Sequence, residues 1–336
     1  MTGIHEVATR AGVSTATVSR VLSGRGTVAP ATRERVQLAV AELGYVVSSN
    51  ASSLATGRTR NVGVVVPFLD RWYFTSVVEG AQAALQRHGF DLTLYNLRGG
   101  GRAGVFDHFL HRKRVDAVVA IALELSTGEI QRLLDMNKPI VGVGGPLPGV
   151  RTLSIDDIEV GRLATEHLLS LGHRAIGHIG GDPESETDFH VPSYRRTGYQ
   201  LALEAAGVPI DPALDLNADF TIQGGYAAAR RLLSTPVRPS AIFAASDEMA
   251  IGAILAARDL GLRLPDELAV IGVDDHPLAA FFGLSTVAQH PAEQGAQAVE
   301  ILIEELLRTG DEPSAFDTPI EFRLIVREST ARLPSL

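Results

Sequence analysis

At 336 residues, with no cysteine and a formal charge of −9, the chain is longer than one ordinary domain and excludes both a disulfide framework and a cysteine-rich metal site. No charged-then-apolar leader opens it and no apolar run approaches the ~18 residues of a membrane span, so a soluble cytoplasmic protein is expected. The charge is uneven: residues 1–60 carry seven arginines against three glutamates, or +4, leaving −13 for the remainder, as expected if only the head meets a polyanion.

In chain order, Ile4, Val7, Ala8 and Ala11 recur at i, i+3, i+4, i+7 and predict a helix ending near Ala11. A tight turn through Gly12 leads to a second helix, from about Thr15 to Leu22, striped by Val18, Val21 and Leu22. Both stripes can face a third helix, Ala31 to Leu43, through Val36, Val40 and Leu43. Ser14 stands where an N-cap is wanted. This is a helix-turn-helix pattern. Thr15, Ala16, Thr17, Ser19 and Arg20 are left outside the predicted core. Small and hydroxylated residues let a helix enter the major groove, with Arg20 reaching a guanine edge and hydroxyls reaching phosphates. An ordinary three-helix cap with a polar outer face is the alternative.

The head ends near Tyr45, and VVSSNASSLATGRTR follows. Ser48, Ser49 and Asn50 offer N-caps, Ala51 to Ala55 fit one or two helical turns, and Gly57 can stop them. So short a helix is marginal alone. The segment reads either as a flexible linker or as a hinge helix that orders when two copies pair on DNA.

From Asn61 strands and helices alternate. Apolar runs at 62–68, 90–97, 115–123 and 139–144 are separated by helical stretches near 74–88, 104–113 and 127–136. A second series has helices at 158–171, 193–206, 223–234 and 247–260 and strands at 175–181, 241–246 and 267–275. Near-continuous Val/Ile/Leu strands between helices indicate parallel sheets covered on both faces, and two such modules imply a cleft. A helix from about Pro291 to Leu307 and a strand at 319–329 are expected to return across both modules.

IHEVATRAGVSTATVSRVLSGRGTVAPATRERVQLAVAELGY, followed by SSLATGRTRNVGVVVP, closely resembles the lactose-repressor (LacI/GalR) family of bacterial transcription regulators. LATEHLLSLGHRAIGHIGG, YRRTGYQLAL, SDEMAIGAILAARDLGLRLPDELAVIGVDD and the final REST extend the likeness over nearly the whole chain. The resemblance implies an all-α helix-turn-helix head at 1–46, a hinge at 47–60 and an α/β, two-lobed, periplasmic-binding-protein-like effector domain at 61–336. Its two parallel-sheet subdomains would be an N-lobe near 61–158 and 291–318 and a C-lobe near 159–290 and 319–336. Thr15, Ala16 and Arg20 fall where the family reads bases, with Ser14, Thr17 and Ser19 on phosphates. Leu54 falls at the hinge leucine that relatives wedge into the minor groove, kinking the duplex. The implied DNA partner is a near-palindromic operator, often with a central CG step, bound by a homodimer. No leucine heptad tail follows REST, so a dimer is expected rather than a tetramer. Val47 and Ser48 depart from the proline and asparagine common in relatives, which would loosen the start of the hinge helix.

For the cleft, the resemblance implies effector contacts from Trp72, Tyr73 and Phe74 after the first strand, from Phe220, from Arg195 and from Asp274. Aromatic faces with one charged donor and one charged acceptor suit a sugar, whose C–H face stacks and whose hydroxyls pair. Core packing is the alternative for the aromatics, and an ion pair for Arg195 and Asp274. Ser246, which completes the seven residues expected on the effector, stands where some sugar-binding relatives have asparagine, and Gly144-Gly145 where others have an aspartate. These departures leave the ligand open, a nucleobase between Phe74 and Phe220 included. No cofactor is expected. GGGRAG (99–104) fits G-x-G-x-x-G, with Glu124 twenty residues beyond, but it follows the second strand of its module, so a dehydrogenase is not expected. Neither G-x-S-x-G nor H-E-x-x-H occurs. A periplasmic sugar-binding protein shares the two-lobed fold but needs an export signal and has no helix-turn-helix.

Overall fold

A computed structural model describes residues 3–23, 27–45, 58–97, 115–123, 125–145, 147–182, 190–235, 237–308 and 317–330. The hinge residues Val47, Ser48 and Leu54, the GGGRAG run and the helix expected over 104–113 lie outside these residues. The chain forms two compact units, Met1–Arg60 and Asn61–Leu336.

In the first unit, α1 (Ile4–Ala11), α2 (Thr15–Ser23) and α3 (Pro30–Leu43) enclose a core centred on Val7, Val18 and Val36, all fully buried. Gly12 ends α1 in the left-handed region at φ 65°, where glycine carries no Cβ penalty. The reversed chain lets the Val13 N–H bond the Ala8 carbonyl at 3.0 Å. Gly44 ends α3 the same way, at φ 57°. The predicted stripes meet as expected, with Ala39 buried on α3 while Val40 is only partly covered.

The second unit contains two six-stranded sheets. The first comprises β1 (Asn61–Val66), β2 (Asp91–Asn96), β3 (Ala117–Ile121), β4 (Ile140–Val143), β5 (Arg151–Ser154) and a strand from the far end of the chain, β11 (Asp317–Pro319). Its order is β11-β5-β4-β3-β1-β2, parallel throughout. β3 is buried at every residue, as a central parallel strand must be when helices cover both faces. The second sheet comprises β6 (Ile176–Gly180), β7 (Asp215–Asn217), β8 (Ala241–Ala244), β9 (Ala269–Asp274), β10 (Ser285–Ala288) and β12 (Arg323–Ile325), in the order β12-β10-β9-β8-β6-β7. Only β12 runs antiparallel. The helices between strands are α4 (Trp72–Arg87), α5 (Thr127–Leu134), α6 (Asp157–Ser170), α7 (Val191–Ala205), α8 (Ile222–Leu233), α9 (Asp247–Asp259), α10 (Ala279–Phe282) and α11 (Pro291–Leu307).

The chain passes between the two sheets three times: before α6, between β10 and α11, and between β11 and β12. The single strand expected at 319–329 is therefore corrected to two short strands, one in each sheet. A continuous strand cannot pair in two sheets at once, so Glu321 and Phe322 serve as the crossing. Beyond β12, the REST residues fasten the end of the chain. Arg327 bonds the Asp275 carboxylate at 2.7 Å, and the Val270 N–H donates to the Ser329 carbonyl at 2.8 Å.

Helix pairs within each lobe approach at glycines. A Cβ on Gly198 of α7 would lie 2.0 Å from the Ile158 carbonyl of α6, and one on Gly161 would lie 2.2 Å from the Arg195 carbonyl. Gly80 of α4 and Gly295 of α11 make the corresponding crossing in the other lobe. These contacts set where Arg195 and Tyr73 stand. Gly198→Ala should force α6 and α7 apart and cost about 1–3 kcal/mol, as overpacking of a dense interior does. Urea unfolding should show a lower midpoint with an unchanged slope; a midpoint equal to that of the parent would contradict the crossing.

Candidate functional site

The first candidate site is the outer face of α2. Ser14 accepts from the Thr17 N–H at 3.2 Å, with the two hydroxyls 3.0 Å apart, so it caps the helix as the sequence suggests. Val18 and Val21 are buried beneath, Thr15 and Thr17 are half-buried, and Ser14, Ala16, Ser19 and Arg20 are exposed. Thr15 with Ser19, and Ala16 with Arg20, are one helical turn apart on adjoining rows. The result is a narrow face of a methyl, hydroxyls and one guanidinium, a shape and chemistry that a major groove accepts.

The second lies between the two sheets of the second unit. In an open α/β sheet, ligands bind outside the carboxyl ends of the strands, where the strand order reverses. Both sheets present that edge to a cavity of about 330 Å³. Phe68 and Arg71 reach it from the loop after β1, Tyr73 and Phe74 from the first turn of α4, and Phe220 from the loop after β7. Ser246 lies after β8, Asp274 ends β9, and Arg195 projects from α7. The structure thus brings together six of the seven effector residues expected from sequence.

The seventh, Trp72, does not line this cavity. Successive helical residues are about 100° apart, so three in a row cannot share one wall. Its ring turns to the boundary between the lobes and lies against His276, with ring centroids 4.9 Å apart.

Phe220 adopts φ 57°, and its ring sits so close over Gly181 that a Cβ there would come within 2.2 Å. Gly144 lines the cavity too, and a Cβ on it would lie 3.3 Å from the Tyr73 hydroxyl. Ser246 caps α9 by accepting from the Met249 N–H at 3.3 Å.

Arg195 and Asp274 are nearly out of reach of water. Arg195 is 4% exposed, and its Nε donates to Asp157 at 2.8 Å while Nη1 donates to the Ala245 carbonyl. Burial pushes the Asp157 carboxyl up despite Arg195 beside it. Asp274 accepts from the Gln289 side-chain amide; burial pushes its carboxyl up to about 6, against the pull of Arg195. Asp247, behind Asp274, accepts from Thr286 at 2.7 Å and from the His276 N–H at 2.8 Å. Burial, then the charge of Asp274, hold it well above the usual carboxylate range. Gln289 continues the network: its carbonyl accepts from Gln294 at 2.6 Å, and Gln294 accepts from the Tyr73 hydroxyl at 2.9 Å.

Sequence reasoning missed Phe68, Arg71, Asp157, Glu248, Gln289 and Gln294, all on the cavity. Their shared signal is position: each stands just after a strand or in the first turn of the helix that follows one. Gln289 was harder to find because β10, which it follows, was not predicted. Among the described residues no group of three or more His, Cys, Asp or Glu could hold a metal ion.

Residues 3–48 match the family described as "Bacterial regulatory proteins, lacI family", and residues 165–330 match "Periplasmic binding protein-like domain". The chain is 36% identical to the HTH-type transcriptional regulator CelR of Thermobifida fusca, over 97% of each protein. It belongs to the lacI family.

Other lacI-family relatives include the HTH-type transcriptional repressor PurR of Haemophilus influenzae (strain PittEE), 33% identical over 98% of each chain. Among solved structures, the transcriptional regulator CelR–cellobiose complex shares 34% identity with a TM-score of 0.72, over 98% of this chain and all of that one. The lac repressor dimer bound to operator and the anti-inducer ONPF is similar in fold, with a TM-score of 0.86 at 24% identity, over 98% of this chain and 99% of that one. A lacI-family chain is a DNA-binding transcriptional regulator rather than an enzyme, which sets aside the dinucleotide reading of GGGRAG; the match over 3–48 sets aside an exported binding protein. Among the described residues, no helix is long and apolar enough to cross a membrane.

An acid held above its unfolded value binds protons on folding, so its contribution to stability falls as pH rises between the two values. For Asp274 that window runs from the ordinary 3.8 to about 6. The stability of Asp274→Asn relative to the parent should therefore rise with pH across this window, measured by urea unfolding at a series of pH values. A relative stability that fell with pH would refute the assigned burial.

Proposed function

We propose that the protein is a dimeric repressor of carbohydrate-use genes that binds a palindromic operator and is switched by a sugar in the cleft of its effector unit. The observation that carries this reading is the cavity wall itself: Tyr73, Phe74 and Phe220 supply apolar faces beside the buried donor Arg195 and acceptor Asp274. A sugar ring offers matching C–H faces and hydroxyls. The cellobiose in the solved complex of a regulator 34% identical to this chain supports the same ligand class. Ser246 completes that wall, and Trp72 acts from the lobe boundary.

On the DNA side, Thr15, Ala16 and Arg20 read base edges, Ser14, Thr17 and Ser19 meet phosphates, and Leu54 is the minor-groove wedge. Two-fold operators need two heads. A dimer is supported by the apolar surface of α10, where Phe281 is 85% exposed beside Leu278, with Arg258 covering the neighbouring Phe282 ring. Ligand in the cleft acts through its unequal affinity for two arrangements of the lobes, and so changes how the paired heads meet DNA.

Fluorescence anisotropy with a CG-centred palindromic duplex and a scrambled duplex, at fixed salt, tests the whole reading. Tight binding should be confined to the palindrome and shifted by one member of a panel of sugars, with a nucleobase included as the competing ligand. Equal weak binding to both duplexes would overturn the operator claim. Arg20→Ala should lose about 1–3 kcal/mol of discrimination at one base pair per half-site; equal loss on both duplexes would reassign Arg20 to phosphate. Phe281→Glu should yield monomers in sedimentation velocity, and an intact dimer would place the interface elsewhere.

A further inference from the structure

The wall of the cavity grades from buried to exposed. Ser246, Arg195 and Asp274 are 3%, 4% and 6% exposed in its deepest part, whereas Phe68 and Phe220 are half-buried and Asp219 is exposed at the rim. Arg71 stands on that rim, yet only 14% of its side chain is exposed. An arginine on a surface loop ordinarily extends its charged head into water. This one reaches across to the other lobe instead. Its Nη2 donates to the Asp219 carbonyl at 2.9 Å.

Both ends of that bond are held in place. Arg71 is the N-cap residue of α4, and its carbonyl accepts from the Thr75 N–H at 3.3 Å. Its guanidinium lies 5.4 Å from the centre of the Phe68 ring, with Nη1 3.5 Å from the Asp70 carboxylate. Phe68 in turn packs on Phe74, with ring centroids 5.6 Å apart. In the opposite lobe the Ala218 N–H donates to the Gly180 carbonyl at 2.7 Å. The Asp219 carboxylate accepts from the Thr221 N–H at 3.2 Å and from the Thr221 hydroxyl at 2.6 Å. The acceptor is thus a backbone carbonyl in a braced turn, and its position does not depend on a side-chain rotamer. A guanidinium donating to such a carbonyl makes a charge-assisted bond, stronger than a neutral one.

From this geometry we infer that Arg71 is a specificity-determining gate residue: its bond to the Asp219 carbonyl spans the mouth of the cavity and sets how large a molecule the cleft admits. At about 330 Å³, the space behind it lies at the small end of ligand cavities. A molecule that fits wholly inside leaves the bond intact, whereas a longer one must hold the mouth open and forfeit it. That what the gate selects is an effector rests on the function proposed above.

The chain has no cysteine, so Ser246→Cys, a nearly isosteric change, places a single thiol in the deepest part of the cavity of the full-length protein. Methyl methanethiosulfonate and fluorescein maleimide then report the passage of a small and a bulky molecule, with no ligand present. Adding Arg71→Ala should speed fluorescein maleimide labelling about tenfold or more, as the loss of one hydrogen bond to a charged group implies, and leave methanethiosulfonate labelling nearly unchanged. Arg71→Met keeps a stem over Phe68 but no donor, and should label as Arg71→Ala does. Unchanged maleimide labelling, or an Arg71→Met variant as protected as the parent, would overturn the gate. So would equal acceleration of both reagents, the mark of general unfolding. Calorimetry with cellobiose and cellotetraose, on chains with the native Ser246, tests the effector reading separately. The parent should take cellobiose and refuse cellotetraose, and Arg71→Ala should take both; a parent that bound both alike would overturn the gate. If neither these sugars nor the rest of the panel bound while labelling stayed size-selective, the gate would stand and the sugar reading would fail.

Discussion

The hydrogen-bonded chain from Tyr73 through Gln294 and Gln289 to Asp274 is the interaction on which the effector unit depends. It starts on α4 in one lobe, passes along the crossing between β10 and α11, and ends on the last residue of β9 in the other. Every member but Tyr73 is buried, so each polar atom in the chain must find its partner inside the protein. Moving one lobe would break bonds at groups that water does not readily reach. The chain therefore ties the position of an aromatic wall in one lobe to the protonation and orientation of a carboxylate in the other.

Asp157, Asp247, Asp274 and Glu248 are all held upward by burial, which is a cost the fold carries at neutral pH. A buried cluster of carboxylates is destabilising unless matched by donors, and ligand-binding sites are where such mismatches gather. Arg195 offsets part of this through Asp157, and Gln289 through Asp274. A ligand rich in hydroxyl donors would supply more of what the wall lacks. The ion pair that the sequence offered as the alternative for Arg195 is formed, with Asp157 as its partner. One of its nitrogens goes to Asp157 and another to a backbone carbonyl, so the guanidinium is fixed as part of the wall.

Much of this was legible in the sequence, and what was not has physical causes. The three head helices followed from the i, i+3, i+4 stripes and from Gly12 and Ser14 as punctuation, whereas Gly44 as the stop of α3 emerged only from the structure. Long buried strands such as β1 and β3 announced themselves as Val/Ile runs. β5, β7 and β10 did not, because strands of three or four residues with polar letters carry too little pattern to distinguish them from loops. The last segment was misread as one strand for the same reason: PIEFRLIVRES has a continuous strand's composition, and only pairing reveals that it serves two sheets. In the cleft, the aromatics and the Arg195–Asp274 pair could be carried over by resemblance. Arg71 and Gln294 matter because of what faces them from another part of the chain, and spacing in one dimension does not encode that.

The three crossings between the sheets restrict how the lobes can move. Three short connections on neighbouring edges permit bending but little sliding. Within each lobe, glycine crossings lock helix to helix: Gly80 lies against the Ala292 carbonyl and Gly295 against that of Val77, too closely for independent motion. α4 and α11 should therefore move as one body with the first sheet. A ligand touching Tyr73 and Phe74 on one side and Phe220, Arg195 and Asp274 on the other necessarily has different affinities for different bend angles. The coupling between cavity and lobe arrangement thus needs no pathway of small displacements. It follows from placing one ligand's contacts on two stiff bodies joined by a narrow hinge.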